Sequence, residues 1–256
     1  MTVTVPRHTP HNPPPRRYLR PVEPLCFPAT DGEEMGETSR HMLLRTALWQ
    51  AIQLGFAGRL AVGSDQFVYY NGRDPRACCA PDVFVCLGKE QTPFDTWKTW
   101  EQGTPELAIE IISACDAGDR AWDEKLQRYR ELGCRELVRF DPDQPSRPLR
   151  IWDRIDDDLV ERDPADPLFS RCDTLDAHFC VRNEPTYGPW LYVSHDAAGR
   201  DPYPSEAEAR QREAEARQRE AEARQREAEA RQREAEARQR AEARVRELEA
   251  ELARRS

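Results

Sequence analysis

The chain has 256 residues, with 47 Asp and Glu against 38 Lys and Arg, a formal charge of −9 and a mean hydropathy of −0.86. From Ser205 onward 14 Glu and 14 Arg cancel, so the whole negative excess falls on residues 1–204, which argues against the broad basic face that phosphate backbones select. No apolar run reaches membrane length, no signal peptide opens the chain, and the eight cysteines lack the paired spacing of a zinc knuckle; the expectation is a reduced, cytoplasmic protein with no membrane partner.

In chain order, residues 1–29 carry Pro13-Pro14-Pro15 with Arg16, Arg17 and Arg20 and read as a disordered arm, a solvated terminus in preference to a phosphate-touching one. Thr38 or Ser39 can cap a helix with Leu44, Leu48, Ala51 and Ile52 at helical spacing, and Gly55 can end it. Leu60 to Val62 and Gln66 to Tyr70 read as strands, and Asn71-Gly72 is a turn signal that predicts a hairpin or meander. Another apolar strand follows Pro81-Asp82. The stretch Phe94 to Gly103, with Trp97 and Trp100, reads as loop or short helix, its tryptophans as satellite core in preference to a cleft cover.

The next strand, Leu107-Ala108-Ile109-Glu110-Ile111-Ile112, holds one carboxylate in an apolar run. An ionised carboxylate taken out of water costs several kcal/mol, roughly, unless it is paired or bound to a metal. At about 100° per residue the following helix aligns Trp122, Leu126, Tyr129 and Gly133, with Leu132 beside them. Lys125 falls on the flank of that stripe, where it either snorkels or meets a buried partner. Gly133 ends the helix, Glu136 to Phe140 is the next strand, and Asp141-Pro142 a turn.

Asp82, Glu110 and Lys125 thus form a strand, strand, helix set of two acids and a base. Mg2+ takes oxygen ligands, commonly one or two carboxylates plus a substrate phosphate. A nearby ammonium can orient the attacking water and offset charge developing on phosphorus. The set is consistent with metal-dependent phosphodiester hydrolysis.

The same block, from Pro81-Asp82-Val83-Phe84-Val85 through Pro105 to Ser113 and on to Asp119, Lys125, Tyr129, Gly133, Glu136 and Asp141-Pro142, resembles the Uma-two family of the restriction-endonuclease-like superfamily. The likeness covers roughly residues 35–195. It implies a restriction-endonuclease-like α/β core with a mixed central sheet flanked by helices, DNA as the substrate, and Mg2+ or Mn2+ as the cofactor. Asp82 and Glu110 are then metal ligands with the backbone carbonyl of Ile111, Lys125 is catalytic, and His41 and Tyr129 line the cleft. The superfamily pattern of acid, any residue, lysine is broken here by Ile112, and the lysine stands on the next helix as Lys125. Ala114-Cys115 and Leu137-Val138 also depart from the family's usual proline and aromatic pair; neither touches the three charged positions.

The tail repeats Glu-Ala-Glu-Ala-Arg-Gln-Arg from Glu206 through Arg240. Ala207 and Ala209 lie about 200° apart around a helix, so they form no coiled-coil seam. Glu206 with Arg210 and Glu208 with Arg212 are favourable i to i+4 pairs, each contributing roughly 0.2 to 0.5 kcal/mol. A solvated single helix over 205–254 is the first expectation, about 75 Å for fifty residues; self-association through Ala241, Val245, Leu248 and Leu252 is the second. The chain as a whole divides into the arm (1–29), a nuclease domain (30–200) and this helix, and the competing reading of the domain is an inactive nuclease fold that serves as an assembly module.

Overall fold

Thr38 opens the first helix, its hydroxyl accepting from the His41 amide at 3.2 Å, and α1 (Ser39–Gly55) buries Leu44, Leu48, Ala51 and Ile52 as the spacing predicts. The computed structural model describes residue 25 and residues 38–113, 119–163 and 166–255; the Pro/Arg-rich arm, apart from residue 25, lies outside them. After α1 come β1 (Leu60–Gly63), β2 (Val68–Tyr69), β3 (Cys78–Cys79), β4 (Val83–Leu87), β5 (Trp97–Lys98), α2 (Thr99–Gln102) and β6 (Leu107–Ile111). Then follow α3 (Asp119–Leu132), β7 (Glu136–Phe140), β8 (Leu149–Ile155), β9 (Asp158–Glu161), β10 (Phe169–Cys172), β11 (Ala177–Glu184), β12 (Gly188–Ser194) and α4 (Glu206–Arg255).

The fold is mixed α/β. A central sheet runs β1-β4-β6-β7-β8-β9, antiparallel throughout except for the parallel β6–β7 pair. A parallel pair needs a crossover, and α3 supplies it. Both faces of the sheet are covered, so its central strands read as nearly continuous apolar runs. On one face α1 and the three-stranded sheet β10-β11-β12 bury Leu48, Ile52, Ile109, Val138, Phe179 and Leu191. On the other, α3 and the small sheet β3-β2-β5 bury Ala108, Trp122, Tyr129, Leu137 and Trp152.

Several local expectations meet the structure directly. Gly133 follows α3 at φ +88, the left-handed conformation that ends helices and that a side chain strains. Asn71-Gly72 sits inside the 70–77 connection between β2 and β3, which closes by two successive turns, Asp74 N to Asn71 O and Ala77 N to Asp74 O; the hairpin exists, with a longer loop than a two-residue turn. Trp97 is core and Trp100 is exposed. The sequence reading assigned nothing between Asp141-Pro142 and the tail, where the structure has five strands. Helix α4 starts with a reciprocal cap, the Glu208 amide donating to Ser205 Oγ and the Ser205 amide to the Glu208 carboxylate. Tyr203, just before it, packs on Phe56 and occupies the space where a Cβ on Gly55 would stand.

Candidate active site

The β4–β6 register pairs Val83 with Ile109, so Asp82, one residue ahead of β4, stands opposite Glu110. Beyond that point the ladder ends. The Ile111 amide donates instead to Asp82 Oδ2 at 2.7 Å, the carboxylate standing in for a backbone carbonyl. In an antiparallel ladder one residue's N–H and C=O point to the same side, so the Ile111 carbonyl also leaves the strand toward Asp82. The other Asp82 oxygen lies 2.6 Å from His41 Nε2, carried in by the first turn of α1.

Glu110 is buried and faces α3. Lys125 Nζ donates to its Oε2 at 2.9 Å, and the Tyr129 hydroxyl donates a short hydrogen bond to its Oε1. Residues 125 and 129 are one helical turn apart, so both side chains overhang the same strand position. Of the two sequence readings of Lys125, snorkel or buried partner, the geometry combines both: the lysine side chain is 31% exposed and that of its partner 5%. Asp82, Glu110, Lys125, Tyr129, His41 and the Ile111 backbone therefore come together in one region, linked through two hydrogen-bonded groups.

The Glu110 carboxyl is raised to about 7, chiefly by burial and further by Asp82, against the charge of Lys125 and the bonds from Tyr129 and Lys125, which lower it. Burial, and then the neighbouring Glu110 charge, lifts the Tyr129 hydroxyl well above its ordinary value. Two acids held close and out of water are in electrostatic debt to a cation.

Among the described residues no three His, Cys, Asp or Glu side chains converge as a ready cation cage. The donor set is two carboxylates and a peptide carbonyl, all oxygen, which suits Mg2+ or Mn2+ when waters and a substrate phosphate complete the shell. Each carboxylate oxygen retains lone-pair capacity beyond the bond it accepts. A divalent ion would also remove the penalty that burial lays on Glu110, so the residues fit such a group.

Two features escaped the sequence reading. Arg139 stands directly across from Glu110 on β7, and Arg150 across from Arg139 on β8. Glu136 is buried at the opposite end of β7. Glu136 and Arg139 are three apart in one strand and so point to opposite faces; a charge on each face of an otherwise apolar strand was the available signal.

A family model described as "Uma2: Putative restriction endonuclease" matches residues 31–169. Among solved structures the chain is similar to a "putative nuclease belonging to DUF820" from Anabaena variabilis ATCC 29413, with 12% identity and a TM-score of 0.42, over 58% of this chain and 82% of that one. No curated protein matches the chain.

Proposed function

The chain belongs to the Uma2 ("Putative restriction endonuclease") family, and from that membership we propose that it hydrolyses DNA phosphodiester bonds with Mg2+ or Mn2+ at Asp82, Glu110 and Lys125. The observation that carries this reading is Glu110: a carboxylate buried on an inner strand, beside a second acid, whose partners are one lysine and one tyrosine. A purely structural acid would gain more from backbone amides, which add no titratable neighbour.

Asp82 and Glu110, with the Ile111 carbonyl, would hold the divalent ion. When bound, it supplies charge that polarises a phosphoryl oxygen and lowers the pKa of a water nucleophile. The chain's own groups do the rest. Ile111 N–H and His41 fix the two oxygens of Asp82, and Tyr129 fixes one oxygen of Glu110, so the acids keep their aim without reorganising. Lys125, its side chain 31% exposed, sits where an attacking water or a phosphoryl oxygen can meet its ammonium while Glu110 keeps its charge compensated. In the reaction a water oxygen forms a bond to phosphorus, one ester P–O bond breaks, the water loses a proton, and the leaving alkoxide takes one.

The tail contributes reach in this reading. The Glu and Arg side chains of the described part of α4 are exposed and linked i to i+4, as between Arg217 and Glu213 at 2.5 Å and Arg231 and Glu227 at 2.6 Å, which favours a stiff solvated helix extending from the 30–200 domain. The spacing of Ala241, Val245, Leu248 and Leu252 supports weak pairing of two copies as the alternative, and sedimentation of the full chain separates the two.

The test is cleavage of plasmid and single-stranded DNA by the purified chain with Mg2+ or Mn2+, alongside Glu110→Ala and Lys125→Ala. Metal-dependent cutting lost in both variants is the expected result. Cutting unchanged in them assigns the activity elsewhere, and no cutting with either metal returns the domain to an assembly role.

A further inference from the structure

Register aligns Glu110, Arg139 and Arg150 in one row across β6, β7 and β8, and side chains directly opposite on neighbouring strands share a face. The row begins with the acid of the candidate active site and continues as two arginines. Like charges set opposite each other across a strand pair are unfavourable, so this pair calls for anions. Two come from the chain. Asp141 Oδ2 accepts from Arg139 at 3.1 Å. Glu161 takes Arg150 through two bonds, 2.8 and 2.6 Å, and Arg147 at 2.7 Å.

Arg147 and Arg150 thus share one carboxylate, Glu161. Hydrogen bonds from Arg150 hold the Glu161 carboxyl below its ordinary range, and the charges of Arg150, Arg147 and Arg139 add to this. The same spot is rich in donors in another way: the indole N–H of Trp122, whose ring lies 5.1 Å from the Arg139 guanidinium carbon, is buried and meets no acceptor among the described residues. Arg139 is deep in the cluster, while Arg147 and Arg150 form its open side, 43% and 25% exposed. Guanidinium forks match phosphate oxygens bidentately.

We propose that Arg147 and Arg150, backed by Arg139, hold a second backbone phosphate of the nucleic-acid strand, flanking the one hydrolysed at Glu110. The subsite rests on the nuclease reading of Glu110. Two strand spacings, about 10 Å, separate the Glu110 and Arg150 backbones, and the Arg150 guanidinium leans outward from there to Glu161 on β9, which sets the second phosphate apart from the one hydrolysed. It also answers the charge problem raised by an acidic domain: the bases are few, and they are gathered beside the chemistry.

The test is binding of a short DNA duplex and of single-stranded DNA to the full chain without added metal, over a range of salt, for three proteins: the wild type, an Arg147→Ala, Arg150→Ala double variant, and Glu161→Gln. The double variant should lose about tenfold in affinity and its salt slope should fall by about one to two. Glu161→Gln should bind severalfold tighter, because it releases both arginines from a competing carboxylate, even though it removes the same ion pairs. A merely structural cluster predicts the reverse for that variant. Unchanged affinity and slope in the double variant, or weaker binding by Glu161→Gln, overturns the subsite while wild-type cleavage leaves the nuclease reading standing. A wild type that neither binds nor cuts DNA overturns the nuclease reading and the subsite together.

Discussion

Two glutamates lie buried in the parallel pair at the centre of the sheet, and they are held in opposite ways. Glu136, at the start of β7, faces the β10-β11-β12 sheet, where backbone amides of Asp173 and Thr174, the Cys172 thiol and Arg162 all point at it. Glu110, near the end of β6, faces α3 and is met by two side chains, Lys125 and Tyr129, beside a second acid. Both are about equally inaccessible, 1% and 4%. Burial therefore does not distinguish the two carboxylates. What differs is that backbone amides carry part of the compensation of Glu136, whereas side chains alone meet Glu110, beside a second acid, and the proposed metal site draws on that difference.

The largest expected effect comes from removing each acid in turn. Glu136→Ala leaves Arg162 without its buried partner and two amides without an acceptor, and should cost about 3 kcal/mol of stability. Glu110→Gln in metal-free protein at pH 8 should cost nothing or stabilise, since it removes an ionised group from an apolar site, while abolishing metal-dependent cleavage. Urea unfolding of both variants with cleavage by the folded fraction checks this; equal stability losses would erase the contrast.

Next comes pH. With the Glu110 carboxyl at about 7 in the folded chain and 4.5 as its ordinary value, the folded state keeps a proton that the unfolded state releases. Stability from this group thus falls as pH rises from about 4.5 to about 7, by at most about 3 kcal/mol. Glu110→Gln should flatten that slope, and Mg2+ should oppose it. Denaturant midpoints measured across this window decide; a slope that survives in Glu110→Gln belongs to another group.

Smaller still is Tyr129→Phe, which keeps the ring in the core and removes one bond to Glu110. Outer partners of metal ligands are typically worth 10- to 100-fold in metal affinity, so the Mg2+ concentration for half-maximal cleavage should rise about tenfold. An unchanged metal requirement would make Tyr129 a packing residue only. The smallest effect is expected from the tail: deleting residues 210–256 should shift the unfolding free energy of the core by less than about 1 kcal/mol, because the helix leaves the domain after its contacts around Gln50 and Tyr203. A larger loss on calorimetry would mean that the helix folds back or pairs.

The parts of the molecule legible in the sequence are those set by short-range pattern. Thr38, the spacing of Leu44, Leu48 and Ile52, and Gly55 define α1; Gly133 ends α3; alanine and i to i+4 pairs make α4. The charged trio stood out because Glu110 interrupts an apolar strand, and the resemblance added His41 and Tyr129. Among the strands after Asp141-Pro142, β8 escaped because charges break its pattern: in Leu149–Ile155, Arg150, Asp153 and Arg154 blur the alternation. The partners of Arg150 and Asp153 are Glu161 and Arg162, 11 and 9 residues on, beyond the reach of a pattern one strand long.

By itself the sequence determined α1, α3, α4 and the inner strands up to Phe140, and that two acids and a lysine needed a chemical reason to be where they are. Only the tertiary structure decided which partners each charge meets. The end of the β4–β6 ladder brings Asp82 to the Ile111 amide, one turn of α3 lays Lys125 and Tyr129 over Glu110, and β7 and β8 set Arg139 and Arg150 alongside. These are contacts between residues 11 to 41 positions apart, fixed by sheet register and by the crossover, whereas local propensity acts over a few residues and carries no information about register.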